Sequence, residues 1–285
     1  MTGAMQLLSD CVLCPRRCGV NRAENEQGFC KTGKNPKISA FNVHTGEEPP
    51  ISGARGSGTV FFTGCNMRCV FCQNYPISQL NNGNEVTLEK LAGIMLGLQK
   101  EGVHNINFVT PTHVVPQIIE AVSAARAQGL KIPIVYNSSG YESVETLRML
   151  ASTVDVYMPD IKYSDDEQAV KYSSAPGYWA VARDAVKEMH RQKGILKMKD
   201  GIAVSGLLVR HLVLPGGAAG SKKVLEFIAR EISKDSYVSI MAQYHPANRT
   251  GEYPELDRKI TAREYSEVLE FADGLGLVNG WRQEM

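Results

Sequence analysis

Cys65, Cys69 and Cys72 fall within eight consecutive positions, directly behind the apolar run Val60, Phe61 and Phe62. Three thiols this close, with Gly64 loosening the backbone before them, converge on one metal centre. A closed structural site takes four protein ligands, and no fourth Cys or His stands nearby. Three ligands leave a position open for water, substrate or cofactor. Phe71, just before the third thiol, screens the centre from water and so affects its redox potential. The alternative is a zinc knuckle completed by a distant ligand.

A second group precedes it. Cys11, Cys14, Cys18 and Cys30 occupy a short polar segment with few large apolar side chains, which needs a staple to be ordered. Pro15 stiffens the turn after the second thiol, and Gly19 and Gly28 permit tight bends beside the third and fourth. Four thiols suit a tetrahedral zinc ion or a fully protein-ligated iron–sulfur cluster, and the spacing leaves both open. Either would be structural or electron-transferring, a brace or a relay beside the catalytic centre.

The chain has 285 residues and a formal charge of +1, from 31 basic and 30 acidic side chains mixed throughout. That balance gives nucleic acid no general footprint. The apolar runs fall far short of the ~20 residues that span a bilayer. The N-terminus shows no export signal, and seven unevenly spaced cysteines then argue for metal ligands in a reducing cytosol, not disulfides.

Those thiols must be positioned by a scaffold. Residues 38–43 alternate as a short strand, and Pro49-Pro50 with Gly53, Gly56 and Gly58 reads as a loop. Glu47 and Glu48 in that stretch are expected to face solvent, and His44 to be neither ligand nor proton donor. From residue 59 the pattern becomes strand then helix, with apolar strands at 59–62, 106–110, 132–137, 154–158, 207–214 and 237–242. Helical stripes fill 86–100, 116–128, 142–150, 165–173, 178–192, 221–233 and 261–272, and residues 196–204 read as a hairpin turning at Asp200-Gly201. Six such units predict a mostly parallel sheet covered by helices, too few for a closed eight-stranded barrel. The expected organisation is a four-cysteine segment with linker over 1–58, then an α/β core over 59–285.

The stretch C-N-M-R-C-V-F-C resembles the radical SAM signature, C-x3-C-x-aromatic-C, and the preceding strand agrees with it. That resemblance implies a [4Fe-4S] cluster on three cysteines, its fourth iron chelated by S-adenosylmethionine, and an open (β/α)6 partial TIM barrel. It also implies reductive cleavage of S-adenosylmethionine to a 5′-deoxyadenosyl radical that abstracts a substrate hydrogen, fed by an external donor such as flavodoxin or ferredoxin. The segments C-x2-C-P-R-x-C, G-E-E-P-P-I-S-G and N-F-V-T-P-T-H further resemble an uncharacterised pyruvate formate-lyase activating enzyme-like group. Activation of a glycyl-radical partner is then the leading expectation. Modification of a small molecule or peptide is the runner-up, and a non-catalytic iron–sulfur electron carrier comes after it.

In parallel α/β folds chemistry gathers beyond the C-terminal strand ends. Gln73 and Asn74 follow the thiols and are read as amide donors toward a sulfide or the cofactor. Thr110, Thr112 and His113 follow the second strand, where the family usually places a Gly-Gly-Glu-like segment that this chain lacks. His113 is alternatively a helix cap. Asn137 and Ser139 follow the third strand and are read as contacts to the cofactor's ribose or carboxylate. Asp160 and Lys162 resemble the Asp-Leu-Lys motif of glycyl-radical activating enzymes, lining cofactor and peptide cleft. Arg210 and His211 should face opposite sides of the fifth strand, with Arg210 the better inward group. The last strand end, Q-Y-H-P, resembles an aromatic-His segment that makes His245 the expected cofactor histidine.

Overall fold

The computed structural model describes residues 4–285. Its strands are β1 (Lys37–His44), β2 (Ser57–Phe62), β3 (Asn84–Glu85), β4 (Ile106–Val109), β5 (Ile134–Ser138), β6 (Val156–Pro159), β7 (Lys197–Lys199), β8 (Ile202–Leu212), β9 (Tyr237–Met241) and β10 (Gly280–Arg282). The longer helices are α1 (Pro49–Ser52), α2 (Tyr75–Ser78), α3 (Leu88–Lys100), α4 (Val115–Ala127), α5 (Val144–Met149), α6 (Asp166–Ser173), α7 (Tyr178–Lys193), α8 (Ser221–Phe227) and α9 (Ala262–Gly274). The sheet runs β10-β9-β8-β6-β5-β4-β2-β1-β3, with every pair from β10 to β2 parallel and β1 antiparallel to both β2 and β3. Its two ends do not meet, so the sheet is open, as six strand–helix units predict.

Local chemistry explains the boundaries. Thr87 caps α3 by accepting from the Lys90 N–H, and Leu91, Met95 and Leu98 bury the stripe read from the sequence. Ser174 and Gly177 both take left-handed backbone between α6 and α7, breaking what would otherwise be one helix. Asp200 and Gly201 also carry positive φ, as a tight hairpin turn requires between β7 and β8. Residues 221–233 are not one regular helix, because α8 passes into a π-helical turn over Ile228–Ile232. The three-residue strand β10, too short to show a period, extends the sheet beyond β9.

Period-2 alternation divides each strand between two faces. One face packs on the helices through Val60, Phe62, Phe108, Tyr136 and Leu207. The other gathers Val135, Val156, Met158 and Leu208 against Ile51 of α1. The Pro-Pro stretch is therefore not simply a loop: it is a short helix plugging the inner face. Burying Ile51 completely is worth about 1.5–3 kcal/mol. Two residues further along the same strands, the inner face turns polar: Asn137, Asp160 and Arg210.

Residues 5–36 have no sheet of their own. Leu8, Cys11 and Leu13 form a small apolar cluster, and the segment docks on the core by hydrogen bonds from Thr146 Oγ1 to the Leu13 carbonyl and from Gln117 Nε2 to the Lys34 carbonyl.

Candidate active site

Above the Ile51 plug lies a cleft of about 450 Å³ at the C-terminal ends of β2, β4, β5, β6, β8 and β9. Cys65, Cys69 and Cys72 line one wall. The Cys69 sulfur accepts from Ser173 Oγ at 3.0 Å, the Met67 N–H approaches Cys65 Sγ at 3.3 Å, and Cys72 Sγ lies 3.2 Å from Ser78 Oγ. Burial, with Cys69 beside it, pushes the Cys65 thiol up to about 12. Left to itself such a thiol keeps its proton, and a bound metal must displace it.

Facing the thiols is a charged network. Asp160 accepts from Lys162 Nζ and from Arg210 Nε, each at 2.7 Å, one on each carboxylate oxygen. Arg210 Nη2 also donates to Asn137 Oδ1 at 2.7 Å, and its Nη1 stands 3.3 Å from Glu47 and 3.5 Å from Glu48. Burial alone would raise Asp160, but Arg210 and Lys162 hold it below its ordinary value. Burial likewise opposes the Lys162 charge, and Asp160 overcomes it. For Glu47 burial wins over Arg210, and its carboxyl is raised.

Of the residues expected at the strand ends, Gln73, Asn74, Thr110, Asn137, Ser139, Asp160, Lys162 and Arg210 all line the cleft. Thr110 does so from a left-handed backbone, φ 59°. Three expected contacts lie elsewhere. Thr112 is buried beneath the cleft, donating to Glu142 at 2.5 Å. His113 points away from it, bonding through Nε2 to the Thr63 carbonyl at 2.7 Å, and lines a separate cavity with the N-terminal cysteines. His245 is exposed at the rim, with Nδ1 3.1 Å from Gln73 Nε2, while Gln243 takes the lining position. The strand-end rule locates a loop, but the direction of each side chain depends on how that loop turns.

Glu47 and Glu48 correct a second expectation. They do not face solvent; their side chains are 8% and 2% exposed and turned onto Arg210. Having lost sheet alternation in the linker, they gave no periodic signal of an inward face. His44 and, from the unforeseen β10, Trp281 also line the cleft. Arg210 and His211 divide as alternation requires: His211 is fully buried on the helix side, bonded to the Ile161 carbonyl and Ser221 Oγ.

The radical SAM superfamily model matches residues 59–205, just over half of the chain and the part that contains the three thiols and the Asp160–Lys162 pair. The chain belongs to the radical SAM superfamily. An uncharacterized protein of Methanocaldococcus jannaschii, MJ0674, is 32% identical over 284 residues, covering 96% of this chain and 77% of its own length. Among solved structures, Streptococcus suis SuiB bound to S-adenosylmethionine aligns with a TM-score of 0.53 at 11% identity, over 77% of this chain and 48% of that one. Native anSMEcpe with bound AdoMet aligns with a TM-score of 0.52 at 11% identity, over 76% and 61%. This radical SAM chain thus spans half to three fifths of those structures, and they support the fold alone.

Family membership implies a [4Fe-4S] cluster and S-adenosylmethionine. The residues fit both. Among the described residues the three thiols at the cleft wall have no fourth protein ligand beside them, and the polar strand ends face them across a space of ligand size. Glu47, Glu48 and Asp160 gather around Arg210, with Lys162 on Asp160, so the cleft presents both signs of charge to a ligand. No helix among the described residues is long and apolar enough to cross a membrane.

Proposed function

We propose that this radical SAM protein is an enzyme that abstracts a hydrogen atom from a protein substrate, with a glycine of a partner enzyme as the first candidate. The cleft that joins the three thiols to Asp160, Lys162 and Arg210 carries the reading. When bound, the cluster and S-adenosylmethionine supply one-electron reductive cleavage and a hydrogen-abstracting radical. Cys65, Cys69 and Cys72 would hold the iron. Asn137, Ser139 and the Asp160–Arg210 pair would position the cofactor, and Glu47 or Glu48 would answer its positive charge in place of the absent Gly-Gly-Glu-like acid. Phe71, packed on Tyr163 and Tyr244, keeps water from the thiol wall. The Asp160-x-Lys162 pattern favours the glycyl-radical activating class, with a flavodoxin- or ferredoxin-type donor. The four N-terminal cysteines are proposed to hold a second metal centre.

Anaerobic incubation with S-adenosylmethionine, a reductant and candidate partner proteins tests this. 5′-Deoxyadenosine formation should vanish when Cys65, Cys69 and Cys72 are replaced by Ala, and a partner should develop a glycyl signal in electron paramagnetic resonance. Cleavage that responds only to a small molecule or free peptide would move the assignment to that class. Reversible cluster reduction without any cleavage would leave an electron carrier.

A further inference from the structure

The three thiols of the cleft wall are held unequally. Cys65 Sγ takes the Met67 N–H at 3.3 Å, and Cys72 Sγ lies 3.2 Å from Ser78 Oγ, which itself lines the cleft. Cys69 Sγ has the shortest contact, 3.0 Å to Ser173 Oγ. Ser173 is fully buried and is not among the residues that line the cleft, so neither water nor a cofactor can take its place. Its position is set from the backbone. The Arg68 N–H donates to the Ser173 carbonyl at 2.9 Å and the Val70 N–H to the Tyr172 carbonyl at 2.8 Å, which ladders the last turn of α6 onto the loop that carries Cys69.

The direction of these bonds follows from the chemistry. An iron-bound cysteine sulfur has no proton, so Ser173 must give its single hydroxyl proton to Cys69. The Ser173 oxygen then has only lone pairs left for a second partner. The Tyr163 hydroxyl lies 2.7 Å from it and donates to it. Tyr163 is fully buried, and among the described residues its hydroxyl has no other partner. Its ring is fixed edge-on against Phe71 and Tyr178, at centroid separations of 6.5 and 5.6 Å. Two O–H dipoles, from Tyr163 through Ser173, thus point in series at one sulfur, each polarising the next. In a site closed to water they favour negative charge on that sulfur.

We propose that Ser173, held by Tyr163, is a positioning residue that raises the reduction potential of the iron centre on Cys65, Cys69 and Cys72. The inference rests on the [4Fe-4S] cluster that family membership implies for these thiols. A donor of the flavodoxin or ferredoxin class is oxidised by one electron as the cluster is reduced, and the sulfurs gain negative charge. The Ser173 hydrogen bond holds that reduced state more firmly than the oxidised one, so the electron is accepted at a higher potential than it would be without the hydroxyl.

The test is a redox titration of the full chain, reconstituted anaerobically with iron and sulfide and followed by electron paramagnetic resonance. The signal to follow is the one lost when Cys65, Cys69 and Cys72 are all replaced by Ser. Ser173→Ala should keep its iron and lower the midpoint, by about a tenfold change in the ratio of reduced to oxidised protein at fixed potential, or ~59 mV for one electron. Tyr163→Phe, which leaves the Ser173 bond in place, should move the midpoint the same way by less. Ser173→Ala also leaves the Tyr163 hydroxyl buried without a partner, so its urea midpoint should fall. The double variant removes both hydroxyls and should recover that stability while its potential stays as low as in Ser173→Ala. A potential that recovers together with stability shows a merely structural role and overturns the inference. So does an unchanged midpoint in Ser173→Ala with iron retained, which leaves the cluster itself standing. Should Ser173→Ala lose its iron, an unchanged midpoint in Tyr163→Phe overturns the inference instead. A wild-type chain that binds no iron at these three thiols defeats the cluster reading, and this inference with it.

Discussion

A side chain at Gly64 would strike the Cys30 carbonyl oxygen, and its φ of +79° is left-handed backbone. Gly64→Ala should therefore cost at least about 1–3 kcal/mol from the backbone alone and lower bound iron, read by thermal unfolding and iron content. Glu142 gives a pH signature. Burial raises its carboxyl to about 7, although Thr112 and Tyr136 hydrogen bonds oppose the rise. A carboxyl raised in the folded state holds its proton there while the unfolded chain has released its own. Stability is then fullest below the ordinary carboxylate range and falls as pH climbs toward 7, by at most about 1.4 kcal/mol per unit. Urea midpoints at pH 5 and pH 7.5 should show wild type losing more stability than Glu142→Gln across that interval. Equal losses would exclude Glu142 as the cause. Thr112 and His113 show the limit of reading residues singly. Their position after a strand was legible, but Thr110 takes left-handed backbone, and the pair that follows it is buried behind the cleft.

Between elements, Arg210 is the connection that matters most for the site. From β8 it reaches Asp160 beyond β6, Asn137 of β5 and the two glutamates before α1. Arg210→Ala would leave Glu47 and Glu48 without their cation and Asp160 with Lys162 alone, so a loss of about 3–5 kcal/mol is expected, with S-adenosylmethionine binding weakened in the same variant. Titration calorimetry and urea unfolding check the two effects separately. At the sheet's far side, Thr261 and Glu264 form a reciprocal cap on α9. Thr261→Ala should cost about 1 kcal/mol without touching cofactor binding. The parallel strands β2, β4, β5, β6, β8 and β9 and most of their helices were legible because apolar periodicity runs unbroken through them. β10 and α1 were not, since three or four residues hold no full period, and their partners lie far away in sequence. The inward turn of Glu47 and Glu48 follows from α1 docking, so it shared that invisibility.

At the scale of the molecule, the open sheet leaves a broad mouth, while the N-terminal segment rests behind the thiol wall. Arg16 and Arg68 stack on Phe29 from either loop, and Arg68 donates to the Cys65 carbonyl. Removing iron with a chelator under anaerobic conditions should thus lower the unfolding midpoint of the whole chain in one transition. A separate early transition of the first 36 residues would show that the two parts are not joined this closely. The same contact sets an order of manufacture. The cysteines of the first group leave the ribosome before those of the catalytic loop, but their cavity is walled by Asn66 and His113. Nothing can be sealed inside it until the chain has grown past residue 113, when the catalytic thiols are already made. If the first group holds the second metal centre proposed for it, both sets of thiols would have to be filled on a chain whose synthesis is well advanced.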